Sequence, residues 1–218
     1  MTAKKFSPRK GGILKGRPLE LFHHGSVEEW GAKQPQTDSF AIIHPKNKKR
    51  KHGLYVVLHS AGHDLYSCLG CTVYKGNHDI YHTPDDLYGL YLDCREHAAT
   101  DFWWGGINAK DEGDPERKNA MQAVEKRVYA TIEWTIKKYN IDPQRVYLCG
   151  NSMGGSGSLG IFISSHRKNF RPSSPSRKKQ RSMFPSAVYS SSKSRLMKKS
   201  LILSATKQVL LKRTTKAC

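Results

Sequence analysis

After Asp142 this 218-residue chain contains no aspartate or glutamate. All 18 acidic residues lie within residues 1–142, while 15 of the 37 Lys and Arg fall within residues 161–218. The formal net charge of +19 therefore belongs mainly to one end. A uniformly basic protein would point to nucleic acid or an acidic membrane. A nearly balanced body with a basic tail points there only through nonspecific anion binding by the tail. Cysteines are few as well. Five of them (Cys68, Cys71, Cys94, Cys149 and Cys218) give an odd count without a regular spacing, which argues against a disulfide framework. Cys68-Leu69-Gly70-Cys71 is a lone CxxC; a zinc ribbon needs a second pair, so no metal or cofactor is expected. No run of about 18 apolar residues occurs, which excludes a transmembrane helix as the reading. Met1 to Gly12 is basic and polar with no apolar stretch, so no signal peptide is visible, and the compartment stays open.

The remaining pattern is that of an α/β domain. Residues 1–37 show little periodicity and read as an N-terminal extension. Phe40–His44 and Gly53–His59 are apolar runs separated by the polar "PKNKKRKH", which predicts two strands joined as a β-hairpin with a long basic loop. The segment 61–86 is loop-rich, and Leu87–Asp93 has the character of a third strand. A helix follows, with Asp114 as its expected N-cap and Pro115 at its first position. Met121, Val124, Val128, Ile132, Ile136 and Tyr139 recur at steps of three and four and form one apolar stripe. Lys137 and Lys138 suit the last turn, and Asn140 suits a left-handed cap. Arg145–Cys149 is then a short apolar strand. Strand, helix, strand implies a right-handed βαβ unit and a parallel sheet.

Directly after that strand stands Gly150-Asn151-Ser152-Met153-Gly154, a G-x-S-x-G pattern. A strand that turns sharply into a helix leaves no room for side chains two positions either side of the bend. The bend lifts the Ser152 hydroxyl above the sheet and aims the Met153 amide at the same point, at a helix N-terminus that favours negative charge. A phosphate-binding loop would need a lysine after the glycines, and there is none. A second element lies at the end of the 53–59 strand. In His59-Ser60-Ala61-Gly62-His63-Asp64, the Ala61 or the Gly62 amide is the candidate for a second oxyanion donor. Trp103 and Trp104, in an aromatic Gly-rich loop, suit either an acyl or aryl pocket or the core.

The strings "LYVVLHSAGHD" (54–64) and "YNIDPQRVYLCGNSMGGSGSLG" (139–160) make the chain resemble the α/β-hydrolase superfamily. The nearest relatives in pattern are serine esterases and predicted peptidases related to polyhydroxybutyrate depolymerases, feruloyl esterases and the prolyl-oligopeptidase catalytic domain. The resemblance covers about residues 38–160 and departs at Ser60, where the family has glycine. It implies a doubly wound, mostly parallel sheet and hydrolysis of carboxylic esters, or of peptides, through an acyl-serine. The substrate would be a small-molecule or polymeric ester.

The family order places an acid and then a histidine after the serine. Here no acid follows, and the one later histidine, His166, stands fourteen residues on. A continuous helix at about 1.5 Å per residue carries it roughly 20 Å away. His59, His63 and Asp64 are the upstream groups within reach of the bend. An unactivated serine is a poor nucleophile, so the chain is expected to hydrolyse weakly or not at all. Residues 161–218 read as an unrelated, basic, poorly ordered tail, the expected product of a frameshift or an unspliced junction. Within that tail Leu196–Leu211 regains apolar residues without a clean stripe. Without further strands the Arg145–Cys149 strand would be an open edge, unless the tail supplies one. Oligomeric state is not legible.

Overall fold

The computed structural model describes residues 6–25, 30, 38–47, 51–74, 78–94, 102–104, 121–166 and 186–189. They form one seven-stranded sheet with helices on both faces. In chain order the strands are β1 (Phe6–Leu14), β2 (Arg17–His24), β3 (Ser39–Ile43), β4 (Leu54–Leu58), β5 (Tyr88–Leu92), β6 (Val146–Gly150) and β7 (Ser186–Tyr189). The helices are α1 (Leu65–Cys71), α2 (Ala123–Tyr139) and α3 (Met153–His166), with a 3-10 turn over Asp79–Tyr81.

The spatial order is β1-β2-β3-β5-β4-β6-β7. β4, β5, β6 and β7 run parallel, and β1, β2 and β3 add antiparallel pairings on one side. The hairpin expected between β3 and β4 does not form. β5 lies between them, antiparallel to β3 and parallel to β4. Both strands are buried along almost their whole length, and a strand covered on both faces gains more from a central place in the sheet than from a local turn. The hairpin lies elsewhere, in residues the sequence had placed in an N-terminal extension. β1 and β2 pair Leu14 with Arg17 around Lys15-Gly16, where both central residues have positive φ (50° and 73°), as a tight two-residue hairpin turn requires. The sheet thus begins well before residue 38.

Alternation along the strands splits the core into two layers. Phe40, Ile42, Leu54, Val56, Leu58, Leu90, Leu92, Val146 and Leu148 face α2 and α3, and meet Val124, Val128, Ile132 and Ile161 there. Ala41, Ile43, Val57, Tyr91 and Cys149 face the other way, onto Leu65, Cys68 and Leu69 of α1 and Tyr81 of the 3-10 turn. Each valine, leucine, isoleucine or phenylalanine among them contributes about 1.5–3 kcal/mol on full burial.

In α2 the stripe members Val124, Val128 and Ile132 are all buried. Asn140 takes the left-handed cap at φ 49°, and Lys137 and Lys138 occupy the last turn. Its start differs from expectation. Gln122 is the N-cap in a reciprocal box with Glu125, and the expected cap Asp114 lies outside the described residues.

The basic tail is not wholly apart from the sheet. α3 runs to His166, and residues 186–189 pair in parallel with Tyr147–Gly150. This strand covers the edge of β6 that the sequence had left open. Among the described residues no helix is long and apolar enough to cross a membrane.

Candidate functional site

The chain makes β4, then β5 on one side of it, then β6 on the other. The direction of winding therefore reverses between β4 and β6. In open α/β sheets a crevice opens outside the carboxyl ends of the strands at such a switch point. Leu58 and Gly150, the last residues of β4 and β6, are register partners. Ser60 and Ser152 each stand two residues beyond that pair, so the two motifs come to the same edge of the sheet.

The bend at Ser152 is the sharp kind. Ser152 has φ 50° and lies between the end of β6 and the first residue of α3. A non-glycine residue in this region costs about 1–3 kcal/mol and persists only where the surroundings enforce it. The surroundings here are backbone. A Cβ at Gly150 would meet the carbonyl carbon and oxygen of Gly154 and the Leu58 oxygen, and one at Gly154 would meet the Leu58 and His59 oxygens. The two glycines let the first turn of α3 seat directly on the exit of β4. The Gly154 amide donates to the Asn151 oxygen at 2.9 Å, and the Ser156 amide to the Ser152 oxygen at 3.0 Å. Ser152 itself is exposed, whereas Met153 is buried. No histidine or carboxylate among the described residues hydrogen-bonds the Ser152 hydroxyl.

The exit of β4 is anchored from several directions. Ser60 is buried, and its amide donates to the Tyr81 hydroxyl at 3.1 Å. The His63 amide closes a turn onto the Ser60 oxygen at 3.1 Å, with Gly62 at φ 77°. Ala61 and Gly62 sit exposed at the tip of that turn. Burial raises the Tyr81 hydroxyl pKa to about 12, so it stays a proton donor to the Ser60 hydroxyl.

The upstream histidines and acid have other employment. His59 is fully buried. Its Nδ1 faces the Ser60 oxygen at 2.9 Å, and its Nε2 lies 3.0 Å from the Cys94 amide and 3.2 Å from an Asp93 carboxylate oxygen. Both ring nitrogens are thus committed away from Ser152. His63 Nδ1 pairs with the Ser67 hydroxyl at 3.2 Å, and its ring packs edge-on to His78. Asp64 is the N-cap of α1. It accepts from the Ser67 amide at 2.7 Å while the Ser67 hydroxyl accepts from the Asp64 amide, a reciprocal capping box. The Ser67 amide bond holds the Asp64 carboxyl below the usual carboxylate range. His166 ends α3, an unbroken helix of 14 residues, so it is carried roughly 20 Å along from Ser152.

Trp103 is core rather than pocket wall. It is fully buried, its indole donates to the His59 oxygen at 3.0 Å, and its amide lies 3.2 Å from the Cys94 sulfur. Its Cβ presses on α3 where Gly157 leaves space, which accounts for the small residues that continue past the bend. Trp104 packs partly buried at the margin of the same core. The CxxC residues lie on α1 as free thiols, and burial pushes the Cys68 thiol pKa up. Cys149, under the bend, is pushed up by burial to about 12. Neither is a thiolate nucleophile.

Tyr81, Asp93 and Trp103 shape this site, and nothing in the sequence marks the first two. They stand in or beside loops, without periodicity, and acquire their roles only through contacts across 21 to 44 residues.

The strand order and the sharp bend define a doubly wound, mostly parallel α/β sheet with Ser152 at the edge where its winding reverses. No protein-family model matches the chain, and no curated protein matches it. Among solved structures it is similar to a thermostable esterase, at 24% identity over 66% of this chain and 37% of that one, with a TM-score of 0.45. It is also similar to an S-formylglutathione hydrolase from Agrobacterium tumefaciens, at 17% identity over 72% of this chain and 57% of that one, TM-score 0.47. A third is the poly(3-hydroxybutyrate) depolymerase LpqC from Bordetella parapertussis, at 13% identity over 79% and 50%, TM-score 0.47. The chain thus spans about two fifths to three fifths of the length of these structures.

Proposed function

We propose that the chain carries the nucleophile half of a serine hydrolase site acting on carboxylic esters. Ser152 is the nucleophile. The Met153 amide and an amide of the 61–62 turn form the oxyanion hole, and Ala61 is the better placed. The Ser60 amide is spent on Tyr81, while among the described residues the Ala61 amide has no protein partner.

The observation that carries this reading is the left-handed Ser152, at φ 50°, wedged between Gly150 and Gly154 at the reversal point of the sheet. In the reaction the Ser152 oxygen adds to the ester carbonyl carbon. The carbonyl oxygen becomes an oxyanion facing the two amides, the alcohol leaves with the serine proton, and water then releases the acid.

The proton needs an acceptor. The chain has no acid after Asp142, and its one later histidine sits at the far end of α3. Within these 218 residues water carries the serine proton to the leaving alcohol, and the residual acceleration rests on the oxyanion donors. The expected behaviour is slow covalent labelling of Ser152 by a fluorophosphonate, with esterase turnover of p-nitrophenyl butyrate close to background. Labelling of the full chain is compared with that of Ser152→Ala by intact mass. Equal labelling of the two proteins overturns the reading.

A further inference from the structure

The opposite edge of the sheet holds a cavity of about 370 Å³. Ile43, which borders it, ends β3 and pairs with Gly89 at the start of β5. The cavity is therefore at the amino end of the parallel strands, away from Ser152. Three cations border it, Lys15, Arg17 and Lys46, against one carboxylate, Asp85.

Those charges do not cancel. Arg17 is buried, and its guanidinium donates to three carbonyls, those of His44 at 2.6 Å, Thr83 at 2.9 Å and Leu87 at 2.6 Å. Carbonyls satisfy its N–H groups and leave its charge. Asp85 is 3.8 Å from Arg17 but is held at 2.7 Å by Lys46. The next carboxylate, Asp86, faces Arg145 at 3.5 Å. Lys15 is presented by the β1–β2 turn and donates to the Thr72 oxygen at 2.9 Å, again a neutral partner. Lys15 and Lys46 are exposed at the mouth, and Arg17 is the buried cation, its carboxylate neighbour 3.8 Å away and shared with Lys46. A buried cation without a close anion of its own is costly, and a cavity beside it is where a counter-charge fits. Leu14, Ile43 and Pro84 supply an apolar wall.

We propose that this cavity binds a small aliphatic carboxylate, with its head between Lys15 and Lys46, in the field of Arg17, and its chain on Leu14, Ile43 and Pro84. The site is separate from Ser152 and does not depend on its chemistry.

The test is calorimetric titration of the full chain with butyrate and with butyramide, its neutral isostere. Butyrate is expected to bind saturably and butyramide about tenfold more weakly, the worth of a charged hydrogen bond. The Lys15→Gln/Lys46→Gln double variant, shown by thermal denaturation to fold as the wild type does, should lose about the same factor, whereas Ser152→Ala should bind butyrate unchanged. Equal affinity for butyrate and butyramide in the wild-type protein overturns the proposal, as does binding that survives in the double variant or vanishes in Ser152→Ala.

Discussion

Lys15 and Ser152 share one backbone twist, φ 50° in each, for opposite reasons. At Lys15 the chain reverses between two antiparallel strands, and the neighbouring Gly16 has nothing within 4 Å of where a Cβ would stand. That twist belongs to the hairpin turn alone. At Ser152 the flanking glycines abut the carbonyls of Leu58, His59 and Gly154, so a side chain at either would have to displace main chain. The twist there is imposed by three segments meeting, β4, β6 and α3. Strain in open space marks a turn, whereas strain enforced by packing marks a place where the fold holds one side chain in a fixed position. That is the arrangement a nucleophile needs.

The largest effect that separates the two turns concerns their glycines. Gly154→Ala should destabilise the chain by about 3 kcal/mol or more, because the methyl group meets backbone that cannot rotate away. Gly16→Ala should cost only about 1–2 kcal/mol, the penalty of the left-handed conformation itself. Urea midpoints of the two variants check the order, and equal losses would remove the distinction between the turns.

A smaller effect has the opposite sign. Ser152→Gly should stabilise the protein by about 1 kcal/mol, since glycine relieves the twist and returns part of the gain through its freer unfolded chain. The same substitution removes the hydroxyl. A rise in stability together with loss of fluorophosphonate labelling is the expected pairing, and a fall in stability would show that the Ser152 side chain is itself a structural contact.

The smallest effect lies on the loop after β4, at its anchor Asp64. The carboxyl pKa is lowered in the folded state, chiefly by the Ser67 amide. The stabilisation is therefore present above the unfolded carboxylate value, near 3.9, and is lost as the pH falls through the lower folded value. Asp64→Asn keeps a capping oxygen that does not titrate. The variant should show a flatter melting-temperature profile below about pH 4, by less than about 1 kcal/mol because the group is solvent-screened. Parallel profiles for wild type and variant would exclude the capping role.

Much of the central sheet was legible because its strands are short apolar runs and α2 is a periodic stripe. Val124, Val128 and Ile132 had no other use than burial. The hairpin assigned to β3 and β4 failed because adjacency in sequence was taken for adjacency in space, while β5 offered both strands a partner. β1 escaped notice because "FSPRKGGIL" is mostly exposed and carries no alternation a pattern can detect, and without it β2 had no hairpin partner to reveal it. The sharp bend at Ser152 was readable from two glycines two positions either side. The burial of His59 and the use of Asp64 as a cap were not, since a histidine or an aspartate beside a strand end has the same letters whether it is a base, an acid or an anchor.

The sequence by itself determined that Ser152 follows an apolar strand between crowding glycines, and that residues 153–218 hold neither an acid nor a near histidine. These are local or compositional facts, and no folding alters them. Only the tertiary structure decided that the bend seats on the exit of β4, that Ser60 is bound to Tyr81 while Ala61 is left exposed, and that residues 186–189 cover β6. Those outcomes depend on contacts between segments far apart in the chain, whose pairing is set by burial of the whole sheet and not by any one stretch of it.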